Sequence, residues 1–254
     1  MRIMTSISNN EIKKVKSLQQ KKFRDETGLF VVEGEKMVEE AINSPLKVNA
    51  VYRREDIGEE TMKRISSLAS PSPVLAVVSK PDDIYLDDFS SLSVKLSEGG
   101  LYLALDTIRD PGNLGTILRI ADWFGIDAVF AAKDTVDVFN PKVVQATMGA
   151  VFRVHMHYVD LPSLSEIIIS MGGKIYGTFL DGRNMYSRPL DTGDDKPVMI
   201  VIGNESEGIS EAMAAMVSDR LYIPPYPADD SGSESLNAAV ATAITVAEFR
   251  RRTY

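Results

Sequence analysis

Between residues 101 and 223 the chain repeats one pattern: a short strand-like run, then in most cases a helical stretch, then another run. The runs are Leu101–Leu105, Ala128–Ala132, Phe152–Tyr158, Lys174–Leu180, Val198–Ile202 and Leu221–Ile223. Parallel neighbours need a crossover helix between them, and strands covered on both faces are apolar throughout. The pattern therefore predicts an α/β fold with a largely parallel sheet. Ligands on such open sheets sit beyond the carboxyl ends of the strands, which makes the loops there the place to look for a site.

Residues 1–80 read as a separate small α/β domain. Helices are expected over 9–20, Glu35–Ile42 and 59–68, with strands at Leu29–Val32, Val48–Tyr52 and Val74–Val78. A Ser- and Asp-rich stretch, 81–100, carries Asp82, Asp83, Asp87 and Asp88, ends at Gly99-Gly100 and reads as a linker. Residues 101–254 form the second domain. No internal repeat or long low-complexity segment interrupts this division.

Composition narrows the chemistry. The 254 residues contain no Cys, which removes disulfide scaffolds, thiol catalysis and thiolate metal sites together. Apolar runs stop at about six residues, far short of a membrane span. No secretion signal is visible over Met1–Asn10, so the expected location is cytoplasmic. The net charge of -8 argues against a nucleic-acid partner, yet it is uneven. Residues 1–24 hold Arg2, Lys13, Lys14, Lys16, Lys21, Lys22 and Arg24 against one acid, Glu11, a local surplus of six positive charges. The two histidines, His155 and His157, alternate along a strand-like run with no further ligand to complete a zinc site, so no metal is expected.

Three loops carry the functional signal. After Leu101–Leu105 the chain reads Asp106-Thr-Ile-Arg-Asp-Pro-Gly-Asn113, then a helix with Arg119 beside its apolar stripe and Gly125 as its stop. By itself Asn113 reads as a helix cap and Arg119 as a boundary residue whose stem covers core surface. After Val198–Ile202 comes Gly203-Asn204-Glu205-Ser-Glu-Gly208, whose glycines let backbone approach a ligand closely. After Leu221–Ile223 the chain runs through Pro224 to Ser235-Leu236-Asn237, then an Ala-rich helix to about Arg252. Each loop is ambiguous alone, and Ser235 could simply cap that helix.

In this order and spacing the three together closely resemble the signature motifs of the SpoU (TrmH-type) RNA 2′-O-ribose methyltransferases of the SPOUT class. Phe30-Val-Val-Glu33-Gly34 likewise resembles the start of the small RNA-binding domain that precedes many SpoU domains. One departure stands out: Pro225–Glu234, with Asp229, Asp230 and Glu234, is longer than the family's usual spacer before Ser-Leu-Asn.

The resemblance implies a sheet whose C-terminal segment threads a deep trefoil knot, a topology that general folding rules would not propose. It implies S-adenosylmethionine (SAM) as cofactor, held by Gly203, Asn204, Gly208, Ile223, Pro224 and Leu236, with Thr178 and Leu180 at the end of the preceding strand. It implies a homodimer built on the first and last helices of the catalytic domain. Arg119 would stand nearest the ribose hydroxyl; a guanidinium stays protonated, so stabilising the developing alkoxide suits it better than removing a proton. Asn113 would position the ribose or Arg119, Glu205 would orient Arg119, and Ser235 and Asn237 would complete the polar wall. Lys13, Lys14, Lys21, Lys22 and Arg24 would bind RNA. The extra N-terminal domain favours ribosomal over transfer RNA as substrate. The rival reading is an RNA-binding dimer of the same fold without turnover. A nicotinamide dehydrogenase is set aside because no Gly-x-Gly-x-x-Gly follows Leu101–Leu105.

Overall fold

The structure, a computed structural model, describes residues 2–4, 7–89, 96, 98–227 and 235–253. They form two units, one of residues up to Asp82 together with Asp137–Arg153, the other of Asp83–Val136 and Val154–Tyr254.

In the larger unit, β5 (Gly100–Leu105), β6 (Ala128–Ala132), β7 (Met156–Val159), β8 (Lys174–Asn184), β9 (Pro197–Ile202) and β10 (Asp219–Tyr222) form a parallel sheet in the order β10-β8-β9-β5-β6-β7. The chain builds outward from β5 through β6 and β7, then crosses to the other side for β8, β9 and β10. The β5/β9 pair is thus where the winding reverses, the position at which α/β sheets open a binding crevice. Tyr102, Ala104, Phe130, Ile175, Met199 and Val201 belong to the buried core of this sheet.

Two helices of this unit begin with the same local chemistry. Asp110 caps α6 (Pro111–Trp123) by accepting the Asn113 N–H at 2.8 Å, and Asp160 caps α8 (Leu161–Ser170) through the Ser163 N–H at 2.9 Å. Proline in the first turn costs nothing, since its missing N–H would have no helical partner. Gly125 ends α6 in the left-handed conformation at φ 58°, as its position in the sequence suggests. After α9 (Glu211–Met216), the last helix, α10 (Ala238–Arg251), packs on α6.

Several expectations move. The helix expected over 9–20 ends early, as α1 (Asn9–Ser17), because the chain turns at Leu18–Gln20, and an unexpected second helix, α2 (Lys21–Thr27), follows it. The helix expected over 59–68 is α5 (Glu59–Ile65), and an unexpected short helix, α4 (Arg54–Ile57), precedes it, with Gly58 at φ 83° between them. With α3 (Glu35–Asn43), they accompany a four-stranded sheet. Its order is β1 (Arg2–Met4), β3 (Val48–Arg53), β4 (Val74–Ser79), β2 (Leu29–Glu33), and β1 had no apolar pattern to announce it. The run Phe152–Tyr158 becomes strand only from Met156, after a single tight turn over Ala150–Phe152.

The supposed linker is not free: Ile84 and Leu96 are buried, and Asp83–Phe89 groups with the larger unit, where Ile84 and Leu86 hydrogen-bond the backbone of Tyr158. Conversely Asp137–Arg153, carrying α7 (Pro141–Thr147), groups with the small unit. Arg24 explains how: it is 2% exposed and gives Nε and Nη2 to Asp137 at 2.9 and 2.6 Å and Nη1 to the Leu18 carbonyl. A side chain so enclosed cannot meet RNA, and its expected RNA-binding role is withdrawn.

Candidate active site

Loops leaving β5 and β9 meet at the reversal point and, with the residue that caps the last helix, bring Asn113, Glu205 and Asn237 into one chain of hydrogen bonds. Asn113 lies in the first turn of α6 and is buried. Its Nδ2 donates to Glu205 Oε1 at 2.8 Å, and its Oδ1 accepts from Asn237 Nδ2 at 2.8 Å. Asn237 caps α10, its Oδ1 taking the N–H groups of Ala239 and Val240 at 3.0 and 3.2 Å. Those N–H groups can only donate and an ionised Glu205 can only accept. The direction of every bond between them is therefore fixed from both ends: a flip of the Asn113 amide would break two bonds, and a flip of the Asn237 amide three.

Glu205 is also turned toward the start of α6, where the Arg109 and Asp110 N–H groups point at it, each at 3.4 Å. Arg109 pairs with Glu207 at 3.3 Å. Two expectations change here. The cap of α6 is Asp110 rather than Asn113, leaving the Asn113 side chain free for the network. Glu205 engages Asn113 and the α6 amino end rather than Arg119. Arg119, six residues on and about 120° around the helix, is exposed, and no hydrogen bond or ion pair engages it among the described residues. Ser235 is exposed and does not cap α10.

Asn204 was expected among the cofactor contacts; the structure gives it internal partners. Its Oδ1 accepts from Ser206 N and Glu207 N at 2.8 and 3.0 Å, its Nδ2 donates to the Thr107 carbonyl at 2.7 Å, and its backbone bonds Gly208 in both directions. Gly203 has no room for a side chain: a Cβ there would overlap the backbone of Gly208 and Ile209. Gly208 itself adopts φ 72°. Nothing in the sequence pattern pointed to Thr107 or to the Asn204 staple, although an Asn in a Gly-bounded turn is a residue type that bonds local backbone.

On the β8–β9–β10 side, small and apolar groups gather. β8 runs four residues past its expected end, so Thr178 and Leu180 lie within it. β10 pairs first with Tyr176 and Gly177, then shifts to Arg183 and Asn184, and Gly182 sits against the Leu221 backbone so closely that a Cβ would overlap it. Ile223 and Pro224 follow β10 half-buried, while Leu180 and Leu236 are exposed. Ionised side chains are absent from this set of expected cofactor contacts, which suits an adenine ring held by apolar contact and backbone groups. Asp229, Asp230 and Glu234 of the long spacer lie outside the described residues.

Among the described residues no helix is long and apolar enough to cross a membrane, and no cluster of three or more His, Asp or Glu side chains suits a metal ion.

The chain matches two family models: SpoU rRNA Methylase family over residues 100–247, and MRM3-like substrate binding domain over residues 9–80. It is 31% identical to the 23S rRNA (guanosine(2553)-2′-O)-methyltransferase of Bacillus subtilis, across 98% of this chain and 100% of that protein. It is 26% identical to the mitochondrial rRNA methyltransferase 3 of Homo sapiens, across 91% of this chain and 69% of that one. Among solved structures, the AdoMet-bound rRNA methyltransferase of Sinorhizobium meliloti superposes with a TM-score of 0.85 at 29% identity, covering 100% of this chain and 98% of that one.

Proposed function

Because the chain belongs to the SpoU rRNA methylase family, we propose that it transfers a methyl group from S-adenosylmethionine to a ribose 2′-hydroxyl of ribosomal RNA. The observation that carries this reading is the Asn113 amide, held in one orientation by Glu205 and Asn237 at the reversal point of the sheet. Such a network has no evident use in a chain that merely binds RNA, since buried polar groups are retained only at a cost.

SAM supplies the methyl group on a sulfonium that departs as a neutral thioether. Gly203, Ile223, Pro224 and Leu236, with Thr178 and Leu180 beside them, would hold it. The ribose hydroxyl is a poor nucleophile and must shed its proton as the new C–O bond forms. Arg119 would stabilise the oxygen as it becomes negative and neutralise the adjacent phosphate. Asn113 would fix the geometry of that encounter, and orientation of this kind supplies much of a transfer rate.

Arg119 does not join the Asn113 network of its own chain, so the site gains its guanidinium when a second copy pairs on α6 and α10. Support for that homodimer comes from Trp123, 85% exposed at the end of α6, and Val240, exposed on α10. The small unit would hold the RNA through the lysines of α1 and α2.

The test uses purified protein, methyl-tritiated SAM and under-modified total RNA, followed by alkaline hydrolysis. A 2′-O-methyl group blocks cleavage of its own phosphodiester, so label retained in dinucleotides establishes ribose methylation. Label in mononucleotides means base methylation and overturns the reading. Sizing the labelled RNA beforehand separates ribosomal from transfer RNA.

A further inference from the structure

Thr107 is a β-branched residue at φ 64°. That region crowds Cβ against the backbone, and a branched side chain is a rare occupant of it. Its surroundings over-determine the conformation. The carbonyl is held by Asn204 Nδ2 at 2.7 Å, and the hydroxyl lies 3.2 Å from both oxygens of Asp134 and 3.4 Å from Asp106 Oδ1. Asp106 is in turn fixed by accepting the Ser210 N–H at 2.7 Å. Thr107 opens the loop that ends in Asp110 and α6, and the direction it imposes decides where the Arg109 and Asp110 N–H groups and Asn113 arrive relative to Glu205.

We infer that Asn204 and Thr107 form a latch that positions Asn113 for methyl transfer, and that Asn204 serves as a positioning residue rather than a cofactor contact. Strain kept at such a point persists only where surrounding bonds enforce it. Here the enforcing bond comes from the loop after β9 and acts on the loop after β5. One staple therefore sets the spacing of the two loops whose side chains, Glu205 and Asn113, must meet at 2.8 Å. The inference rests on the methyltransferase reading, which wild-type activity in the same assay tests independently.

The experiment measures kcat and KM for RNA and, by calorimetry, the Kd for SAM. Asn204→Asp keeps an acceptor for Ser206 and Glu207 but turns an acceptor toward the Thr107 carbonyl in place of the donor. We expect kcat to fall about 10- to 100-fold, the scale of a small misplacement of reacting groups, with SAM affinity and the KM for RNA within about threefold of wild type. Thr107→Gly adopts the left-handed conformation without strain. Placed in the Asn204→Asp background, it restores kcat by about fivefold or more. A loss of SAM affinity matching the loss of kcat would make Asn204 a cofactor contact and overturn the latch. So would a double variant no better than Asn204→Asp.

Should Asn204→Asp fail to fold, position 107 alone decides. Thr107→Val keeps the branched Cβ, loses the hydroxyl bonds and lowers kcat about tenfold, while Thr107→Gly stays within about threefold of wild type. A Gly variant as impaired as the Val variant shows that the conformation is not what matters, and the inference falls.

Discussion

At the scale of single residues, the Asn113 amide is bounded by a carboxylate that only accepts and by an asparagine whose other end is committed to helix N–H groups. Asn113→Asp would set a second carboxylate against Glu205. With no donor left facing Glu205 and two carboxylates set against each other, the variant should lose about 10-fold or more in turnover with SAM affinity near normal. Turnover equal to wild type would remove Glu205 from contact with position 113. Arg119→Ala should abolish transfer while leaving SAM affinity near normal, and unchanged turnover would remove Arg119 from the mechanism. The proposed placement of Arg119 across a dimer has a sharper check. Arg119→Ala and Asn113→Ala proteins, each inactive, should regain activity when mixed and allowed to exchange subunits, since each mixed dimer then holds one complete site. No recovery on proven exchange would put Arg119 and its site in the same chain.

At the scale of elements, α10 is fastened at its carboxyl end by Glu248. Arg251 meets it with two bonds of 2.8 Å and Arg252 with one, and Arg252 also reaches the carbonyls of Arg188 and Met185 after β8. The Arg251 guanidinium, with Arg252 beside it, holds the Glu248 carboxyl down at about 2 despite the opposing effect of burial. A carboxyl depressed in the folded state contributes stability that is complete above its unfolded value of 4.5 and is lost as pH falls toward 2. Linkage sets an upper limit of about 3 kcal/mol, reduced to about 1–2 kcal/mol because Arg251 is largely in solvent. Glu248→Gln should lower Tm by roughly 2–8 °C at pH 7, and the gap to wild type should close between pH 4.5 and pH 2. A gap independent of pH would mean the loss is one of packing. The pairs of Glu248 with Arg251 and Arg252 follow the i+3 and i+4 spacing of a helix, but the reach of Arg252 to the Arg188 and Met185 carbonyls, 64 and 67 residues away, leaves no mark in the sequence. The strands β5, β6 and β9 were legible because burial on both faces writes a continuous apolar run. Arg24 misled for a related reason: a basic residue in a basic segment has the same local pattern whether it faces RNA or Asp137. Asn113, Glu205 and Asn237 were legible as a set through their motifs, but the order of bonds among them depends on two loop conformations that spacing does not encode.

At the scale of the whole molecule, a net charge of -8 must be reconciled with an RNA substrate. Electrostatic binding is local: a phosphate responds to charges within about a Debye length, roughly 8–10 Å, not to the sum over the chain. The small unit concentrates its cations unequally. Lys21 and Lys22 are paired along α2 with Asp25 at 2.6 Å and Glu26 at 3.8 Å, and Asp25 is shared with Lys80 at 2.7 Å. Lys13, Lys14 and Lys16 on α1 are exposed and have no acidic partner among the described residues. Partnered lysines release fewer condensed counterions from RNA, since much of their charge is already answered. Replacing Lys13, Lys14 and Lys16 by Gln should therefore weaken RNA binding and reduce the slope of log K against log salt by about 2, at roughly 0.7 per phosphate contact on single strands. Replacing Lys21 and Lys22 should change the slope by less than 1, because their charge is already answered by Asp25 and Glu26 and no free contact is lost. A slope unaltered by the α1 substitutions would remove that helix as the RNA-facing surface, and equal effects from both sets would mean that RNA displaces Asp25 and Glu26 from their lysines when it binds.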